Sequence, residues 1–424
     1  MLPTRSPTPS LSETIMVDVA IIGAGFAGLS AARRISMLDP SVRVAVLEAG
    51  VVGEGPAGAN SGFIIDLPHE VSSADGFSED SESKFHQAVT VQRSAIGLAA
   101  GMADQYGWGP DVLDRCGRYS VAMSAHGDEH LKNYCLQLAK MGEPHRLLRQ
   151  HEIAAVTGSQ AYSSGIFMPG TVIIQPAAYI RQVADHLSEP VRLFERTPVL
   201  SFEREGSEWH VKTPQGLVVA DRIILANNGH AESFGFFRRQ FLHVFTYGSL
   251  SKEFEPGRLG GDRKWAATPG LPMGTTVRRI NSSGGDRILV RSRYTYNPSI
   301  DVDETAIRQA GVLHDRKFLH RFPALRDVAM EYRWAGAMAI TQNHVPAFGE
   351  VERNVIAACG CNGLGASNST ASGIAAAELA LGHESELGRI YRAMPAPTKI
   401  PPRPITTIGA KIQLAYREWR AGVE

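Results

Sequence analysis

The chain has 424 residues, with 43 Lys+Arg against 43 Asp+Glu and a pI near 7.3. No chain-wide basic surplus argues for nucleic acid or an anionic membrane, and four cysteines spread over such a length make no disulfide framework. The length exceeds one ordinary core, so two closely joined domains are expected, and no run approaches the roughly 18 apolar residues of a membrane span. A cytoplasmic protein is the expectation.

The opening residues, MLPTRSPTPSLSET, alternate Pro, Ser and Thr and read as a flexible tail over 1–14 rather than a signal peptide. Val17–Ile22 is then a short aliphatic, β-branched run, the pattern of a strand buried on both faces of a parallel sheet. Gly23, Gly25 and Gly28 follow within six positions, and small and aliphatic residues at helical spacing continue from Ala27 to Leu38. Strand, tight turn and helix in that order make a phosphate cradle. Gly23 permits the turn, Gly25 lets a pyrophosphate approach the main chain, Gly28 lets helix and strand pack closely, and the helix N-terminus faces the anion. A second strand, Val42–Leu47, ends at Glu48, twenty residues past Gly28, where a carboxylate accepts both hydroxyls of an adenosine ribose. The expected ligand is a dinucleotide.

Ala49–Glu70 is glycine-rich without lasting periodicity, and a loop of that length inside a compact domain is usually functional. Glu79–Tyr106 reads as one long helix, RYSVAM as a strand, and Ile166–Gln175 leads into a helix over Pro176–Leu187. Trp209–Thr213 and Leu217–Ala220 are two short β-runs around a Pro-Gln-Gly turn, and Ile223–Ala226 is another aliphatic strand. Leu242–Leu250, Thr275–Ile280 and Arg287–Tyr294 alternate apolar with polar residues, as antiparallel strands with one open face do, and a helix over Glu304–Arg321 follows. Val355–Ala358 restores the parallel texture before a further glycine turn and small-residue helix. The expected fold is α/β (α+β): a Rossmann-like nucleotide domain over 15–80, 150–236 and 340–395, with an inserted mixed or antiparallel sheet domain over 81–149 and 237–339. Residues 396–424 form a proline-rich tail and an amphipathic helix with Ile412, Tyr416 and Trp419 near one face. That face either packs back on the body or makes a dimer contact.

The order of parts, with IIGAGFAGLSAA, LEAG, ANSGF, TPVLSFE, DRIILANNG, YRWAGAMAITQNHVPAFG and CGCNGLGASNSTASGIAAAELALG, resembles the D-amino acid oxidase-like family of FAD oxidoreductases. The likeness runs from Val17 to about Gly382 and is greatest to the γ-glutamylputrescine oxidoreductase branch. It implies that Gly23, Gly25, Phe26, Ala27 and Gly28 hold the FAD pyrophosphate and that Glu48 and Ala49 lie at the ribose. Asn60, Ser61, Gly62 and Gly336 would lie beside the isoalloxazine, with Val199 at the adenine. Gly363, Leu364, Gly365 and Ala366 would place a helix start near the pyrimidine edge, where it stabilises negative charge. It implies oxidation of a C–N bond: hydride passes from carbon to the flavin, and the imine is hydrolysed to a carbonyl plus amine or ammonia. The partners implied are a small-molecule amine and oxygen or another electron acceptor, in a chain that either stands alone or forms a homo-oligomer.

Departures from the family pattern narrow the substrate. Relatives that oxidise α-amino acids carry an arginine two residues after WAG; here Met338 stands there, and a thioether cannot replace a bidentate fork. An amine whose charged group lies further from the reacting carbon is favoured over a simple α-amino acid or N-methyl amino acid. Arg278, Arg291 and Arg333 are the candidate contacts for such a group. At i and i+2, Arg291 and Arg293 are expected on one sheet face, with Tyr294 and Tyr296 on the other. Asp66, His69 and Glu70 either line the entrance or pin the loop, and His344 reads as a turn residue. Where sarcosine oxidase uses a lysine for oxygen, the comparable stretch here offers Arg278 and Arg279. Cys359 and Cys361 read as small fillers rather than a redox pair, no metal site is expected, and with no cysteine between Cys135 and Cys359 the FAD is expected to be non-covalent. Two other readings are a flavin hydroxylase, whose GD motif is lacking, and a non-catalytic flavin-binding subunit.

Overall fold

The computed structural model describes residues 4–68 and 79–424. Its central sheet has parallel strands in the order Val191–Phe194, Val44–Leu47, Thr14–Ile22, Leu217–Leu225 and Val355–Cys359. Strand Thr14–Ile22 lies in the middle with parallel partners on both edges, which is why it reads as a nearly unbroken aliphatic run. Val19, Ile21, Val44 and Val46 pack under the helices Phe26–Leu38, Glu79–Tyr106 and Gly365–Ala380, while Ala20, Ile22, Ala45 and Leu47 face the opposite core. Each fully buried Ile or Val contributes on the order of 2 kcal/mol.

Leu217–Leu225 is one strand where the sequence suggested two, Leu217–Ala220 and Ile223–Ala226. Asp221 and Arg222 break the apolar pattern without breaking the strand. One edge stays paired with Thr14–Ile22 throughout, while the other passes from the antiparallel strand Glu208–Lys212 to Val355–Cys359. Residues 5–11, expected to be a loose tail, are docked. Arg5 bridges Asp185 and the buried Glu195, both at 2.7 Å, and Leu11 is buried in the sheet's core. A Pro/Ser/Thr-rich segment is held here by long-range contacts of Arg5, Thr8 and Leu11 that composition does not reveal.

The second sheet runs Met330–Ile340, Leu242–Ser251, Gly285–Tyr296, Thr276–Ser282, Trp265–Pro269, Arg118–Ala122, Ser164–Met168, Arg146–Arg149. Ser164–Met168 therefore belongs to this sheet, although the boundary expected at residue 150 assigned it to the nucleotide domain. Helix Glu304–Arg321 covers one sheet face, on Phe245, Tyr247 and Ser249; the other face, carrying Val244, Thr246 and Gly248, is left for the site. Among the described residues no helix is long and apolar enough to cross a membrane.

On the inner face of helix Glu304–Arg321, buried His314 accepts from Ser249 Oγ at its Nδ1 (2.8 Å) and donates from Nε2 to Ser292 O (3.3 Å). Burial, with Arg333 and Lys317 nearby, pushes its imidazole down to about 4 from an ordinary 6.5. The unfolded chain therefore takes up a proton between pH 6.5 and 4 that the folded chain refuses, and stability is lost as pH falls through that window. The loss is up to about 3 kcal/mol. Denaturant titrations of wild type and His314→Gln across pH 4–7 should show the steeper acid limb in the wild type alone; parallel limbs would refute this.

Candidate active site

The first helix, Phe26–Leu38, starts without a side-chain cap or an acidic residue in its first turn. Its glycines have different reasons. Gly23 has φ +105°, and a Cβ there would lie 2.9 Å from Ala226 O; a Cβ on Gly28 would lie 1.8 Å from Gly23 O. The protein's own backbone therefore demands both. Gly25 is extended, and its nearest neighbour to a Cβ would be Ala57 Cβ at 3.7 Å, so nothing in the chain forbids a side chain. The space is left for a ligand, at a helix N-terminus suited to an anion. Glu48 accepts from Ala24 N through one oxygen and from Gly50 N through the other, both 2.9 Å, which fixes its carboxylate and leaves a lone pair on each oxygen. Ala49 beside it is exposed, and Val199 is half-buried against the sheet's second core.

Helix Gly365–Ala380 repeats these features: no side-chain cap, no acid in the first turn, and open space at Gly363, whose φ is +81°. It packs so closely on the first helix that a Cβ on Gly373 would lie 2.1 Å from Ala27 O. Ser367 Oγ donates to Ile65 O (2.9 Å), and Leu364 packs with Phe63 and Ile65, which ties this helix start to the loop at 59–62. Two uncapped helix starts and the loop at 59–62 thus belong to one region. In that loop Asn60 is used locally, accepting from Gly62 N at 2.8 Å.

The open face of the second sheet lies over this loop. Trp334 Nε1 donates to Ala59 O (3.0 Å), a Cβ on Gly336 would sit 3.2 Å from the same oxygen, and Arg278 Nη1 donates to Ser61 O (2.6 Å) and Ile174 O (3.0 Å). Arg278 is buried against carbonyls rather than a carboxylate, and burial lowers its pKa to about 10, so it remains a fixed cation at neutral pH. Gly62 has φ +79°, and a Cβ there would meet Arg278 Nη1 at 2.1 Å and Ile174 O at 2.3 Å; the positive φ and the backbone oxygen require glycine.

The expected alternation of arginines and tyrosines fails at a bulge. Arg293 has φ +65° and no partner in the register, which passes from Thr246↔Tyr294 to Tyr247↔Ser292. Arg291 and Tyr294 therefore share the open face with Gly248, Thr246, Gly336 and Met338, and Arg291 Nη1 donates to Tyr294 Oη at 2.5 Å. Arg293 turns away to Glu418, 2.7 Å. Arg333 is not brought to this face; it pairs with Asp315 on the covering helix at 2.8 Å. Arg279 also lies on the far side, bound to buried Asp286. Asp66 is buried and accepts from Thr171 Oγ1 (2.7 Å), a loop-pinning contact; His69 and Glu70 lie outside the described residues. His344 sits in a turn with φ +55°.

Two residues of this region were not anticipated. Thr246 lies between Tyr294 and Gly336, and its Oγ1 is buried with no hydrogen-bond partner among the described residues. The alternation of small and polar residues at Thr246 and Gly248 was the available signal. Cys116 packs with Phe63 and Leu364, and burial, with Asp114 nearby, pushes its thiol up to about 11.

Residues 18–379 match the family described as FAD dependent oxidoreductase, DAO. The chain belongs to that family and is an FAD-dependent oxidoreductase. It is 25% identical over 423 residues to a probable oxidoreductase OrdL of Haemophilus influenzae, covering 96% of this chain and 93% of the relative. It is 22% identical to the γ-glutamylputrescine oxidoreductase of Escherichia coli, covering 89% and 86%. The crystal structure of glycine oxidase from Geobacillus kaustophilus superposes with a TM-score of 0.72 at 20% identity, covering 88% of this chain and 96% of that one, which shows a shared fold.

Proposed function

We propose that the protein oxidises the C–N bond of an amine that carries an anionic group at a distance from the reacting carbon. The observation that carries this reading is the Arg291–Tyr294 pair on the sheet face over the loop at 59–62. Among the described residues Arg291 has no carboxylate partner, so its guanidinium is available to an anion. FAD supplies the two-electron acceptor. Gly25 and the first helix would hold its pyrophosphate, Glu48 its ribose, and Ser61, Gly62 and the helix start at Gly365 its ring system. Arg291 and Tyr294 bind and orient the substrate's anion. Thr246 Oγ1 accepts a hydrogen bond from the substrate nitrogen, and Trp334 and Met338 keep water from the reacting carbon. The oxidised substrate is an imine, which water hydrolyses to a carbonyl compound and an amine or ammonia.

Anaerobic mixing with acylated polyamines, amino acids and N-methyl amino acids tests this: an amine bearing a remote carboxylate should bleach the flavin band. Bleaching by simple α-amino acids alone would favour an amino-acid oxidase or dehydrogenase, and bleaching by none would remove the proposal. Non-covalent FAD is part of this reading, as the lack of a cysteine between Cys135 and Cys359 suggested. Acid precipitation should leave the yellow colour in the supernatant; colour in the pellet would contradict it.

A further inference from the structure

The last helix, Arg403–Ala421, reverses the packing its sequence suggests. Ile405, Ile408, Ile412, Tyr416 and Trp419 fall within one quadrant at 3.6 residues per turn, yet Ile412 is 64% and Trp419 76% exposed. The opposite face is the one held by the body. Thr406 and Ala421 are buried, Glu418 takes Arg293, and the residues that follow are anchored through Glu424, whose backbone oxygen accepts from Thr275 Oγ1 (2.8 Å) and Lys317 Nζ (3.2 Å). The apolar stripe is thus presented outward on a fixed helix, and it is larger than the scattered apolar residues a soluble surface normally shows.

Charge identifies what covers it. Lys411 and Arg420 flank the stripe on either side, with Arg417 beyond; all three are exposed and none forms an ion pair among the described residues. The two acids of this segment, Glu418 and Glu424, are turned inward. A second copy packing helix against helix would bring these basic flanks together with no acid to answer them. An anionic lipid surface accepts both features, with the isoleucines, Tyr416 and Trp419 at the level of the headgroups and the basic side chains against lipid phosphate.

We propose that this helix docks the protein in the plane of an anionic lipid surface, beside the strand that carries Arg291 and Tyr294. The FAD-loaded full chain should co-sediment with vesicles of phosphatidylglycerol and phosphatidylcholine in equal parts, and not with phosphatidylcholine alone. Binding should weaken at high salt. The double variant Ile412→Glu/Trp419→Glu and the triple variant Lys411→Gln/Arg417→Gln/Arg420→Gln should each lower the bound fraction about ten-fold or more. Their flavin spectra and melting temperatures should remain those of wild type, since every changed side chain is exposed. No sedimentation with either vesicle, or equal binding by wild type and both variants, overturns the proposal. So does a solution dimer that the Ile412→Glu/Trp419→Glu variant splits, which would assign the face to a second copy.

Discussion

A Gly25→Val variant is expected to fold and to purify without flavin. The added Cβ would stand no closer than 3.7 Å to any neighbouring atom, and the residue is already extended, a conformation valine prefers. What the new side chain fills is the approach to the uncapped helix start, where a diphosphate would take backbone N–H groups. Losing those bonds should weaken FAD binding by about 100-fold or more. Gly28→Val is the contrasting control: its Cβ would lie 1.8 Å from Gly23 O, so the variant should fail to fold. Circular dichroism and the flavin absorbance of the purified proteins separate the two. A yellow, FAD-saturated Gly25→Val protein would remove the pyrophosphate assignment.

Arg291→Met should lower kcat/KM for an anionic amine about 100-fold, mainly through KM, because a charge-assisted pair to a half-buried guanidinium is worth about 1.5–3 kcal/mol. Methionine keeps the length of the side chain beside the Tyr294 ring, which Arg291 overlies at 5.0 Å, so the sheet should be undisturbed. The decisive measurement compares the substrate with its neutral amide. If Arg291 reads the anion, the amide is a poor substrate for wild type and no worse for the variant. An equal loss on both compounds would show that the arginine only supports the sheet.

The cradle was legible because its constraints are local. A buried parallel strand must be apolar on both faces, and the turn and helix that follow must shed side chains within a few residues of it, so Val17–Leu38 announces itself. The bounds expected for the helices Glu79–Tyr106 and Glu304–Arg321 are those observed, since long amphipathic or capped segments carry their own periodicity. The site face was only partly legible. Period-two reasoning from Arg291 assumed an unbroken ladder, and one residue at positive φ shifted every later side chain to the other face. Thr246 escaped notice because the small and polar alternation at Thr246 and Gly248 marks an open face without telling a hydroxyl with a partner from one without.

Sequence by itself determined the class of ligand and the glycines that close backbone contacts require at the first turn, since these follow from residues near one another in the chain. Only the tertiary structure decided which arginines reach the site, that residues 5–11 are docked, and that the last helix turns its isoleucines outward. Those outcomes depend on partners far away along the chain: Asp315 claims Arg333, Glu195 claims Arg5, and the body takes up Glu418 and Glu424. Composition averages such charges to zero, whereas folding sorts them by face.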